Sequence, residues 1–317
     1  MEPGRMLHKR LLWRRHGNWP SHTQMSRARI LNFHLTEEKR VRVAAAGGIW
    51  PRVAAAAKTA GWQVVLKDAD APVGGDGYHL VYNQAVTEPF CLCLRRCHMD
   101  PFYRIEQTND RWDWQVAGQT FTPRAAFSEE EGFRRRWCNK LLDHVEISRQ
   151  GHIFMPLQGK LLIRRHFQTA SPVEMIYQTL AADPTRRILA TLHPRETYSD
   201  AERAALAAID GRFELTDQPS LTALAGCDYV VTENSAMALT GFFAEKPAVL
   251  FGRIDFHHIA ASVPLLGADG AFSAVQSKTP PFAAYLHWFF KRNAITSWAD
   301  DAVDQIRQRF RQHGWPM

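Results

Sequence analysis

The sequence predicts an α/β protein of two Rossmann-like halves whose mainly parallel sheets face a central crevice. The first observation is the stretch DYVVTENSAMALTGFFAEKPAVLFG, residues 228–252, which reads as strand, sharp turn, helix, proline-broken link and second strand. Tyr229, Val230 and Val231 are apolar and β-favouring, and two such strands joined through one helix make a parallel βαβ unit. Two further apolar runs, residues 187–192 and 152–157, end in the polar groups His193-Pro194-Arg195-Glu196 and Gln158. In open parallel sheets ligands collect beyond the carboxyl ends of the strands, where helix-start N–H groups attract anions. Asn234 and Ser235 fall at such a helix start, although Asn and Ser also favour that position merely as helix caps.

Taken in order, residues 1–30 are basic, with Arg5, Lys9, Arg10, Arg14 and Arg15, and lack the apolar core of a secretory signal. They are expected to be without fixed structure, with Met25 a candidate start. Residues 39–45 read as a strand, Gly47-Gly48 as a turn, 51–60 as a helix opening near Pro51, and 63–66 as the next strand. Residues 89–114 are placed on the crevice side of the first half. Thr197 and Asp200 form an expected capping box before a helix. A terminal amphipathic helix over 297–312 aligns Ala299, Val303, Ile306 and Phe310, with Ser297 and Asp300 capping it and Gly314 stopping it. The expected division is an acceptor-side domain over 31–148, a nucleotide-sugar domain over 149–290 and a C-terminal helix over 291–317.

Composition narrows the functional classes. The 317 residues are 45% hydrophobic and 22% charged, ordinary for a globular protein, and no run approaches the roughly 18 apolar residues of a membrane span. Five cysteines, an odd number in a chain without a secretory signal, point to reduced thiols and a cytoplasmic setting. Cys91, Cys93, Cys97 and His98 fit no common zinc spacing, so no metal is assigned there. His257-His258 is a weak candidate for lining the crevice after Gly252. The net charge of +7 favours acidic partners. Arg134, Arg135, Arg136, Trp137 and Lys140 fit either a solvated helix face or a peripheral contact with an anionic inner membrane. No zinc-finger spacing or RRM-like signature accompanies this charge, so nucleic acid is not an expected partner. Asp68-Ala69-Asp70 after an apolar strand offers a rival site, because two carboxylates could hold Mg or Mn against a nucleotide diphosphate.

The succession IFMPLQ (153–158), LHPRE (192–196), ENS (233–235) and EKPAVLFG (245–252) resembles the capsule polysaccharide biosynthesis proteins. That family includes β-Kdo transferases of B-type glycosyltransferase architecture, which use CMP-Kdo. The resemblance covers residues 150–260. It implies that His193 and Arg195 belong to the family's His-Pro-Arg element and Asn234 and Ser235 to its Asn-Ser element, facing the donor nucleotide and its acidic sugar. Three departures stand out: residues 159–168 hold no acid where the family has one, Thr191 replaces a Lys, and Ala238 and Thr240 replace Gly and Glu.

The function expected from this is transfer of Kdo or a similar acidic sugar from a CMP-sugar to a glycan or glycolipid primer, without a further cofactor. His193 would orient the leaving group, while Gln158, Arg195, Asn234 and Ser235 would bind the donor. A carboxylate from the first half, Glu106, is the candidate for the missing acid. The alternative is a non-catalytic glycan or sugar-nucleotide binder in polysaccharide assembly or export.

Overall fold

The computed structural model describes residues 27–143, 145–209 and 211–317. Twelve strands among these residues form two six-stranded sheets. The first contains β1 (Ile30–Leu35), β2 (Gln63–Asp68), β3 (Tyr78–Tyr82), β4 (Cys91–Arg96) and β5 (Phe102–Glu106). The second contains β6 (His152–Pro156), β7 (Arg187–Thr191), β8 (Phe213–Leu215), β9 (Tyr229–Thr232), β10 (Ala248–Leu250) and β11 (Ala261–Ser262). A last strand, β12 (Ile295–Thr296), returns to the first sheet. The orders are β12-β5-β4-β3-β1-β2 and β11-β10-β9-β6-β7-β8. Every pairing in the second sheet is parallel, whereas β5 and β12 pair antiparallel in the first. This is the expected α/β class with two mainly parallel sheets.

The second sheet is parallel because its central strands are apolar along their length and both faces are covered. All residues of β6, β9 and β10 are buried. On one face Ile153, Met155, Val231 and Phe251 pack with Met175 and Ile176 of α4 (Pro172–Ala182). On the other, Phe154, Val230 and Leu250 meet Phe242 and Phe243 of α7 (Ala236–Phe243). Alternation of side chains along each strand produces this division. Helix starts are set locally: Ser171 accepts from Glu174 N, the Glu174 side chain returns to Ser171 N, and Pro172 opens the first turn.

Several local expectations are corrected. Residues 39–45 are not a strand; residues 37–42 form the short helix α1 (Glu37–Arg42), and the strand lies just before it as β1. Glu37 and Glu38 in the first turn and Lys39, Arg40 and Arg42 in the last complement the helix dipole, while Val41 is exposed and contributes nothing to a core. The second helix, α2 (Ile49–Thr59), begins two residues before Pro51. The capping box before α5 (Asp200–Ala207) uses Ser199 and Glu202, since the longer Glu side chain reaches back to the cap N–H. The terminal helix, α10 (Ala302–Gln312), starts five residues later than expected. Residues 295–296 are held in the first sheet, and Ser297 N donates to Pro101 O at 2.9 Å.

The expected domain boundaries are also interleaved. Ile295, Ile306, Phe310 and Trp315 join the core of the first half with Leu31, Trp62 and Tyr78, so the terminal segment is no separate unit. In the other direction α3 (Ser128–Leu141) sends Phe133, Trp137 and Cys138 into the core of the second half, beside Phe243 and Phe290. The basic segment 1–30 falls outside the described residues as far as residue 26. Beyond it, Arg27 donates to Gly77 O at 2.6 Å and lies over Phe90, so residues 27–30 are anchored rather than unstructured.

Candidate functional site

The carboxyl ends of β7, β6 and β9, adjacent in the sheet, bring the expected residues to one edge. Neighbouring strands lie about 4.8 Å apart, so the β7 and β9 exits are separated by roughly 10 Å across β6. Gln158 leaves β6, His193 and Arg195 leave β7, and Asn234 and Ser235 leave β9. His193 and Arg195 are exposed, whereas Gln158, Asn234 and Ser235 are half-buried.

Each exit is fixed by its own bonds. Tyr198 Oη accepts from His193 N at 2.8 Å, and Arg195 N donates to His193 Nδ1 at 3.2 Å, which leaves the neutral ring's proton on Nε2. Ser235 caps α7 in extended geometry and accepts from Met237 N at 3.3 Å. Thr232 Oγ1 accepts from Ser235 N and lies 3.4 Å from Pro156 O, tying the β9 exit to the end of β6. Ala238 N, also in the first turn of α7, donates to Ser235 O at 3.1 Å.

The centre of the edge is a buried carboxylate to which the sequence reading assigned no role. Glu233 is fully buried. Its Oε1 accepts from Gln168 Nε2 at 3.3 Å and lies 3.7 Å from Arg165 Nη2, which also donates to Gln158 Oε1 at 3.2 Å. Burial pushes the Glu233 carboxyl above its ordinary range, with Arg165 pulling the other way. Arg165 therefore links Gln158 to Glu233, and the basic loop 159–168 supplies this cation. The loops approach so closely that a Cβ at Gly252 would lie 2.9 Å from Glu233 O, to which Gly252 N donates at 2.7 Å. A second carboxylate, Glu196, lies against Gly159, where a Cβ would meet Glu196 Cδ at 2.7 Å. The Glu-Asn-Ser order after a buried strand marks Glu233 in the sequence; the meeting of Glu196 with Gly159 has no local signal.

The first half reaches this edge through residues 111–113. Trp112 stacks on Phe167 at 4.7 Å, Arg165 lies over the Phe167 ring and Arg253 over Trp112. Deeper in the same seam His98 Nε2 and Asp255 Oδ1 are 2.8 Å apart, from opposite halves. Burial, then Arg111, pushes the His98 imidazole down to about 4, so it is neutral near pH 7 and donates to Asp255. Burial alone would raise the Asp255 carboxyl, but His98, Arg111 and Arg104 hold it below its ordinary value.

Other expected candidates lie elsewhere. Glu106 is buried on β5, accepts from Gln115 N at 3.0 Å and pairs in register with Cys93, so no contact brings it to the β6, β7 and β9 exits. Antiparallel β5 carries its final residue away from the carboxyl end of β4. His258 does not line the edge: its Nε2 meets Val116 O and Gln119 O at 3.0 and 3.1 Å, between the halves. Asp68 pairs with Arg40 at 2.5 Å on the exposed edge strand β2, and the described residues contain no group of three or more His, Cys, Asp or Glu placed to hold a metal. An apolar cavity of about 320 Å3 lined by Leu192, Tyr198, Leu206 and Phe213 opens beside His193. Larger ones, of about 390 and 480 Å3, adjoin Pro247 at the amino end of β10, away from the candidate residues.

No family model matches the chain, and no curated protein matches it either. Among solved structures, the β-Kdo 2,7 transferase of Thermosulfurimonas dismutans KpsC is similar at 10% identity and TM-score 0.48, over 88% of this chain and 98% of that one. The β-Kdo 2,4 transferase of the same protein gives 12% and 0.46, over 80% and 88%. The Methanocaldococcus jannaschii UDP-GlcNAc 2-epimerase gives 11% and 0.27, over 59% and 51%. At these values the likeness is a loose one of chain layout, and no residue of the site is assigned from it.

Proposed function

We propose that this chain is a glycosyltransferase of capsule or surface polysaccharide assembly, transferring Kdo or a similar acidic sugar from a CMP-sugar to a glycan or glycolipid primer. One observation carries the reading: three adjacent strand exits present a capped helix start, an exposed His and Arg, and the Arg165-linked Gln158 on one edge. The roughly 10 Å between the outer exits suits a donor that carries a phosphate and a carboxylate. Arg195 would take one anion and the α7 start with Asn234 and Ser235 the other, while Gln158 orients the sugar. His193 Nε2–H would donate to the phosphate as the bond from the anomeric carbon breaks and CMP leaves. The acceptor hydroxyl would attack that carbon and pass its proton to the Glu196 carboxylate. Glu196, rather than Glu106, is the exposed carboxylate at this edge.

A second reading, a non-catalytic sugar-nucleotide binder, is favoured by the full burial of Glu233 and its engagement with Arg165 and Gln168. Calorimetric titration with CMP and CMP-Kdo, followed by a transfer assay on a glycan primer, tests both. Binding with turnover supports the enzyme, binding without turnover the binder, and no binding of either ligand sinks both.

A further inference from the structure

At the β6 exit one contact fixes which way Gln158 faces. Its carboxamide carries an acceptor oxygen and an NH2 donor, and Arg165 Nη2 donates to Gln158 Oε1 at 3.2 Å. A guanidinium can only donate, so the oxygen is turned toward Arg165 and the NH2 away from it. Gln158 is half-buried, and no group among the described residues accepts from that NH2. Arg165 is itself pinned: its backbone N donates to Gln168 Oε1 at 2.7 Å, Gln168 N donates to Arg165 O at 2.9 Å, and the guanidinium lies 4.8 Å from the Phe167 ring centroid. Gln168 Nε2 donates to Glu233 Oε1 at 3.3 Å, and Arg165 Nη2 lies 3.7 Å from the same oxygen. The turn is fastened to the β10 exit, where Thr169 N donates to Phe251 O at 2.8 Å and Arg253 N to Phe167 O at 2.9 Å.

The position is central. From β6 the chain builds β7 and β8 to one side and β9, β10 and β11 to the other, so Gln158 leaves the sheet where the strand order reverses, the place at which open parallel sheets bind ligands. There it offers N–H groups, on the edge that also carries Arg195. The carboxylate that could have answered a sugar hydroxyl, Glu233, is fully buried and engaged by Gln168 and Arg165. A hydroxyl needs an acceptor as well as a donor, whereas a carboxylate takes donors only. We propose that Arg165 is a positioning residue for donor specificity: by holding the Gln158 oxygen it makes the β6 exit a hydrogen-bond donor to the carboxylate of an acidic sugar, in preference to a neutral one. This rests on the sugar-nucleotide reading above. Glu196, against Gly159, is the neighbouring acceptor, and in that reading it serves the acceptor hydroxyl.

Calorimetric titration of the full chain with CMP-Kdo and with CMP tests it, the ratio of the two affinities being the readout. The wild type should prefer CMP-Kdo. Arg165→Met keeps an unbranched side chain against Phe167 but frees the amide to turn, and should lower that preference about tenfold, the worth of one hydrogen bond to a charged group. Gln158→Glu should lower it as well, because its carboxylate pairs with Arg165 and turns an acceptor on the ligand. Arg165→Lys, still a donor, should keep most of it. Urea midpoints check that each variant is folded. The proposal is overturned if the wild type binds CMP and CMP-Kdo equally, if the preference survives in folded Arg165→Met and Gln158→Glu, or if both affinities fall in parallel, which would assign Gln158 to the phosphate. Should the wild type bind neither ligand, the sugar-nucleotide reading itself fails and takes this inference with it.

Discussion

Two polar clusters meet at the crevice, and they differ in what they leave open. In the seam, His98 Nε2 and Asp255 Oδ1 pair across the two halves, Asp255 Oδ2 has no hydrogen-bond partner among the described residues, and the His98 ring packs against Phe256 and Phe289. At the β6, β7 and β9 exits, His193 and Arg195 are exposed, and the Tyr198, His193 and Ser235 side chains accept from backbone N–H groups. The first cluster holds the protein together; the second is held by the protein and can hold something else. The same residue types occur in both, so burial and partner geometry separate structural from binding roles.

The comparison breaks if the seam can be cut without consequence. Asp255→Ala removes the buried partner of His98 and leaves Arg104 and Arg111 less compensated, and should cost about 3 to 5 kcal/mol in urea unfolding. A loss below about 1 kcal/mol would mean that the seam contributes little.

Acid should open the same seam. His98 and His258, between the halves, and His79, inside the first sheet, all have folded values pushed down to about 4, chiefly by burial, from 6.5. The unfolded chain therefore takes up protons first, and stability that is fully present above about pH 6.5 is lost as pH falls toward about 4. Urea midpoints that do not change across this window would contradict the buried neutral histidines.

At the exits the expected effect is on ligands. Arg195→Ala should weaken CMP or CMP-Kdo binding by about 1.5 to 3 kcal/mol, the worth of a charge-assisted hydrogen bond, with little change in stability because Arg195 is exposed. Unchanged affinity in calorimetry removes Arg195 from the site. Glu233→Gln tests the boundary between the clusters. Since burial raises this carboxyl, ionising it as pH climbs above the ordinary carboxylate range costs stability, so the variant should be more stable near neutral pH. A strongly destabilised variant would show that the bonds to Arg165 and Gln168 outweigh desolvation. The smallest expected effect is none: EDTA should leave any sugar transfer unchanged. Loss of transfer with EDTA and in Asp68→Asn/Asp70→Asn would move the site to the edge of β2.

The sequence by itself determined the four central strands of the second sheet and the helix between β9 and β10, but not its edge strands β8 and β11. Strands β6, β7, β9 and β10 are short apolar runs bounded by polar or breaker residues, and such runs have few alternatives. It also placed Gln158, His193, Arg195, Asn234 and Ser235 at strand ends, because strand direction and parallel pairing carry them to one edge. Where charged and β-branched residues alternate, as in Arg40-Val41-Arg42-Val43 within the strand expected over 39–45, the local pattern was ambiguous and misled. Tertiary structure alone decided the rest. The return of residues 295–317 to the first half, the seam between His98 and Asp255, and the junction of Arg165 with Gln158 and Glu233 join positions far apart in the chain. Such contacts depend on which surfaces remain to be buried once each sheet has formed, and no short window of residues encodes that.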